Sequence, residues 1–214
     1  MKIAWYYRLV RLTARIMFIL TRVTVSGKEN LPPTGAFLVC ANHVSSADPP
    51  LLGLNLPRYP VYFLAKKELF KSSFFGGILK GSGAIPLNRE GVSGSSLKLA
   101  AGVTKKGGVL IIFPEGKRNP HGRMSVALPG AGYMAAAFKV PVIPVAIIGT
   151  ETIKGHWWFL KPHQVRIIIG KPFRLIEDDD KPDKKDLEQY GERIMGAIAE
   201  LLPPERHGVH GKKQ

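Results

Sequence analysis

Cysteine occurs once among the 214 residues, at Cys40. No internal disulfide is possible, which excludes a small scaffold stapled by disulfides. Cys40 sits in an apolar run, where a free thiol packs as a small hydrophobe, and a reducing setting suits it. Acidic residues are also scarce: 16 Asp and Glu stand against 31 Lys and Arg, giving a formal net charge of +15. That excess attracts polyanions, whether nucleic acid, anionic lipid or an anionic substrate. Zinc-finger spacing, RNA-recognition aromatics and basic-leucine heptads are all missing, so no nucleic-acid partner is expected. No uncharged apolar run reaches the roughly 18 residues that a bilayer span needs, and no small-residue cleavage site follows the N-terminal apolar stretch. His43, His121, His156 and His163 lack metal-ligand spacing, Ser45 and Ser46 lack the glycines of a nucleophile elbow, and no cofactor motif appears. Neither a metal nor a cofactor is expected.

Hydrophobic residues make up 45% of the chain and charged residues 22%, enough apolar material for one folded core. Residues 1–26 read as an amphipathic helix. Arg8, Arg11, Arg15 and Arg22 follow spacings of three, four and seven, which places them on one face. Trp5, Tyr6, Leu9, Leu12, Ile16, Met17, Ile19 and Leu20 build the rest. Such a helix suits an anionic lipid interface, with Trp5 and the four arginines as its membrane-binding residues; packing against its own domain is the plainer alternative. A globular domain over 27–206 and a frayed tail over 207–214 complete the division.

After the turn at Pro32, Pro33 and Gly35, short apolar runs alternate with helix-like segments. Strands are predicted at Ala36–Ala41, Val61–Ala65, Ala84–Leu87, Val109–Phe113, Val142–Ile148 and Val165–Ile169. Leu51–Leu56, Ser95–Lys105, Ala131–Phe138 and about Asp186–Leu202 read as helices, the last after a charged connector at Glu177–Lys185. Continuous apolar strands separated by helices predict an α/β domain, with a mostly parallel central sheet covered on both faces.

Polar clusters follow several of these strands, where open α/β sheets build their sites. Asn42-His43-Val44-Ser45-Ser46-Ala47-Asp48 comes after the first. A carboxylate that holds one ring nitrogen of His43 leaves the other free as a base; alternatively Asp48 before Pro49 caps a helix. Pro114-Glu115-Gly116-Lys117-Arg118 follows another strand, where Arg118 and Lys117 offer a phosphate a donor fork and a point charge. A solvated turn with a Glu–Arg pair would read the same. Arg89 and Lys66 add cations after two further strands.

In order and spacing, four blocks resemble the lysophosphatidate and glycerol-phosphate acyltransferase family. They are His43 with Asp48, Gly83-Ile85-Arg89, Phe113-Pro114-Glu115-Gly116 with Arg118, and Val140-Pro141-Val142-Ile143-Pro144-Val145. The resemblance implies acyl transfer from an acyl thioester, acyl-CoA or acyl carrier protein, to the sn-2 hydroxyl of 1-acyl-glycerol 3-phosphate. It implies His43 as general base and Asp48 as its orienting partner, with Arg89, Glu115, Gly116 and Arg118 holding the phosphate. Lys117 and Lys66 are further cations for that role. The family usually has threonine where this chain has Lys117, and lysine before the glycine where it has Pro129, which leaves the acceptor headgroup open. Another lyso-lipid or glycerol 3-phosphate is the alternative acceptor. The expected location is the cytoplasmic membrane face, peripheral or monotopic.

Overall fold

Leucine, arginine, alanine and methionine, all good helix formers, dominate α1 (Trp5–Met17). It does not continue to residue 26: in the computed structural model, which describes residues 5–57, 60–87, 94–176 and 184–210, strand β1 (Thr21–Ser26) follows it. Thr21, Val23, Thr24 and Val25 are β-branched and stiff at χ1, and they prefer a pleated strand to a helix. Val23 and Val25 turn inward while Arg22, Thr24 and Ser26 are exposed. Arg22 therefore belongs to an edge strand and not to the helical stripe.

Each strand expected from an apolar run is present: β2 (Phe37–Ala41), β3 (Val61–Lys66), β4 (Ala84–Leu87), β5 (Val109–Ile112), β6 (Val142–Ile148) and β7 (His163–Ile169). The helices among them are α2 (Asp48–Asn55), α3 (Ser73–Gly81), α4 (Gly94–Lys105), α5 (Pro129–Phe138) and α6 (Lys184–Ala199). Helix α3 was not anticipated, because Gly76 and Gly77 weaken its signal; Ser72 caps it by accepting from Phe75 N at 3.3 Å. The sheet order is β1-β7-β6-β2-β5-β3-β4. Every pair is parallel except β6 with β7. Strands β6, β2, β5, β3 and β4 thus run the same way and end on one edge of the sheet.

Burial on both faces explains why β2 and β5 read as unbroken apolar runs. Phe37, Val39 and Ala41 of β2 join Leu51 and Leu52 of α2 in one core. Leu38 and Cys40, pointing the other way, join Met134 of α5 and Ile194 and Met195 of α6 in the second. Burial pushes the Cys40 thiol up to about 12, so it stays protonated and serves packing rather than chemistry.

Helix α1 docks on the α2 side. The Tyr7 hydroxyl accepts from Val61 N at 2.9 Å, and the Arg11 guanidinium donates to the Gly53 carbonyl in α2. Arg11 therefore faces the protein, which removes it from the expected lipid-facing stripe. Residues 207–210 are not frayed either. His207 Nε2 meets Leu202 O at 2.9 Å, and His210 Nε2 meets Ser125 O at 2.9 Å. No helix among the described residues is long and apolar enough to cross a membrane.

Candidate active site

Strand β2 ends beside β5 and β6, and the chain leaves the sheet there without losing its pairing. The buried Asn42 side chain donates to Ile147 O at 2.9 Å and accepts from Ile147 N at 2.7 Å. The next residue, His43, stands at the strand end. Its ring stacks on Phe113, the residue after β5, with centroids 4.1 Å apart and planes 22° apart.

Asp48 is fully buried, and its Oδ2 lies 2.8 Å from His43 Nδ1. The same oxygen accepts from Val44 N at 2.7 Å and Ser45 N at 2.8 Å. These are donors of the preceding loop, so Asp48 is not the expected N-cap: it is the first residue of α2, and the cap position falls on Ala47. Its other oxygen, Oδ1, is buried and has no partner among the described residues. An oxygen that already takes two backbone N–H groups acts as an acceptor toward the ring. Nδ1 then carries the ring proton, and Nε2 keeps its lone pair. The His43 side chain is 16% exposed, enough for a substrate to reach it.

Glu115 does not hold phosphate as expected. It is 2% exposed, and donors of the protein occupy both oxygens. Oε1 accepts from His43 N at 2.9 Å, while Oε2 accepts from Ser125 N and Ser125 Oγ, each at 3.0 Å. An anion buried in this way repels phosphate and fixes the histidine backbone. Asn119 N donates to His43 O at 2.7 Å. Both peptide groups of His43 are thus bonded to the ends of one segment, and Gly116-Lys117-Arg118 arches between them.

Gly116 makes the arch possible. Its φ is +62°, and a Cβ there would lie 2.1 Å from Leu128 Cδ1. Lys117 and Arg118 are exposed on the arch, with no hydrogen bond or ion pair among the described residues. Lys66 is exposed at the end of β3, which pairs with β5. The structure therefore unites His43, Asp48, Glu115, Gly116, Lys117 and Arg118, with Lys66 one strand away; Arg89 lies outside the described residues. Sequence reasoning missed Asn119 and Ser125. Neither carries a signal of its own, since each matters only through a partner distant in the chain.

A family model described as Acyltransferase matches residues 22–148, more than half of the chain and all of this site. The chain belongs to the acyltransferase family. The 1-acyl-sn-glycerol-3-phosphate acyltransferase of Bacillus subtilis (strain 168) is 33% identical over 180 residues, covering 84% of this chain and 87% of that protein. The enzyme of the same name from Streptococcus pneumoniae is 31% identical over 178 residues; the match covers 83% of this chain but 64% of that protein. Among solved structures, the 1-acyl-sn-glycerophosphate acyltransferase of Thermotoga maritima superposes with a TM-score of 0.70 at 26% identity, covering 91% of this chain and 78% of that one. The family resemblance of the four blocks and the mostly parallel α/β fold of this acyltransferase are both borne out.

Proposed function

We propose that this acyltransferase moves an acyl chain from an acyl thioester to the sn-2 hydroxyl of 1-acyl-glycerol 3-phosphate, giving phosphatidate. The observation that carries the reading is the place of His43, held at Nδ1 by Asp48 and spanned by an arch that presents two unpaired cations. His43 Nε2 takes the proton of the acceptor hydroxyl as its oxygen attacks the thioester carbonyl carbon. The tetrahedral intermediate collapses with cleavage of the C–S bond, and the imidazolium returns its proton to the departing thiolate. Base catalysis of this kind contributes about 10² to 10⁴ in rate. Arg118, with Lys117 beside it, binds the acceptor phosphate, and Lys66 at the end of β3 adds to its cationic surroundings; the family resemblance gives Arg89 the same role. The names of the relatives support this acceptor. Lys117 favours a second reading, another lyso-lipid or glycerol 3-phosphate, because it adds charge at the headgroup position. Purified enzyme supplied with mixed lysophospholipids, glycerol 3-phosphate and both acyl-CoA and acyl carrier protein thioesters should form phosphatidate as its main product by mass spectrometry. If none forms while another acceptor is acylated, the second reading replaces the first.

The acceptor is a lipid, and α1 offers a way to meet it. Tyr7, Val10 and Arg11 face the domain. Trp5, Leu9, Leu12 and Ile16, spaced by four, three and four residues, form an opposite stripe that is exposed, Trp5 by 75%. Arg8 and Arg15 flank it. On α3, which packs beside α1, Phe74, Phe75 and Ile78 are exposed too, close in the chain to Lys66, Lys67 and Lys71. Apolar stripes bordered by cations match an anionic lipid surface, where each basic residue adds about 1 kcal/mol. Changing Leu9, Leu12 and Ile16 together to serine should weaken partitioning onto anionic vesicles by roughly 100-fold in a flotation assay, since each half-exposed side chain contributes about 1 kcal/mol. Unchanged flotation would remove α1 from the lipid contact. Deleting residues 1–25 is a poorer test, because it also removes most of β1.

A further inference from the structure

The C-terminal segment after α6 lies against the segment that supports His43. We infer that residues 203–210 are a positioning strap, in which His210 sets the active-site histidine through Ser125 and Glu115. The inference rests on the reading of His43 as the base.

Met124 is clasped from both sides: its N–H donates to Arg206 O at 3.0 Å, and its carbonyl accepts from Val209 N at 3.4 Å. The approach is so close that a Cβ on Gly208, which has φ +57°, would lie 2.0 Å from Met124 O. One residue on, the Ser125 carbonyl accepts from His210 Nε2 at 2.9 Å, while Nδ1 of that ring lies 3.2 Å from Glu192 Oε2 on α6. The strap therefore holds both peptides that flank Ser125: Val209 N binds the Met124 carbonyl, in the peptide whose N–H points at Glu115, and His210 binds the carbonyl of the next peptide. A peptide unit is planar, so fixing the Met124 oxygen fixes the opposite direction of the Ser125 N–H, and His210 steadies the peptide on the other side of the same residue. Ser125 N and Oγ then meet Glu115 Oε2, and Glu115 Oε1 meets His43 N. Arg206 adds an anchor to Glu151, which follows β6. Burial alone would raise the Glu151 carboxyl, but the hydrogen bond and charge of Arg206 hold it below its ordinary value.

His210 touches no reacting atom in this scheme. Its effect is to place Nε2 of His43, so its loss should lower kcat and spare acceptor binding. The test compares kcat and KM for lysophosphatidate in H210A, S125A, the double variant and H210Q, alongside H43A. H210A and S125A should each lower kcat roughly 10- to 100-fold with KM within about two-fold. The double variant should lose less than the product of the two single losses, because S125A removes the hydroxyl bond to Glu115 Oε2 and H210A slackens the N–H bond to the same oxygen. H210Q, whose amide still donates to Ser125 O, should recover most of the rate. Normal kcat in H210A and S125A beside an inactive H43A would overturn the strap alone. So would losses that multiply in the double variant, or a rise in KM with kcat unchanged. An active H43A would instead overturn the reading of the base.

Discussion

Replacing His43 with alanine should lower kcat by about 10² to 10⁴, the usual contribution of a positioned base. The fold should persist. The ring stacks on Phe113 at the protein surface, and Asp48 Oδ2 keeps its bonds from Val44 N and Ser45 N when the ring is gone. Flotation on anionic vesicles should not change, since among the described residues no hydrogen bond or ring contact joins His43 to α1 or α3. The measurement is kcat with lysophosphatidate and an acyl thioester on vesicles, beside a melting curve of the same sample. A loss below ten-fold would mean that the acceptor hydroxyl gives up its proton elsewhere.

The second large effect is expected from Asp48→Asn. The amide oxygen can take the place of Oδ2 and keep all three donors. Its NH2 then falls where Oδ1 lies, in a buried spot with no partner among the described residues. A buried donor left unsatisfied costs about 1–3 kcal/mol. If the amide turns over to avoid this, its NH2 faces His43 Nδ1, the ring proton moves to Nε2 and the base is lost. Either way the negative charge that steadies the imidazolium is gone. We expect kcat to fall roughly 10³-fold or more, with KM for the acceptor little changed and a lower melting temperature. Wild-type kcat in this variant would show that Asp48 serves only to order the loop.

Strand ends, the His43–Asp48 spacing and the Glu115–Arg118 segment were legible in the chain because each depends on local order. A strand buried on both faces reads as a continuous apolar run, and a polar cluster just after it must emerge at the edge of the sheet. What escaped depends on contacts between distant residues. Periodicity placed Arg11 and Arg15 on one side of α1, but only packing reveals that Arg11 reaches Gly53 while Arg15 stays exposed. Arg22 kept helical spacing by coincidence, although the alternation of Val23 and Val25 with polar neighbours already indicated a strand. The family resemblance assigns Glu115 to the phosphate, and nothing local in the chain shows that His43, 72 residues earlier, and Ser125 occupy its oxygens. The prolines and short turns of residues 203–210 conceal a segment whose order comes from distant partners: Met124, Ser125, Glu151 and Glu192.

The amide of Asn42 supplies to Ile147 one donor and one acceptor, so both main-chain groups of that β6 residue stay paired past the end of β2. The ladder between β2 and β6 therefore runs one rung beyond the strand, while the backbone of Asn42 is released to turn. Aspartate offers two acceptors and would set one against the Ile147 carbonyl. Glutamine has the right groups on a stem one methylene too long. Position 42 thus demands a single residue type, although it touches no substrate. Variation there would be tolerated no better than at His43, for a reason of mechanical support rather than chemistry.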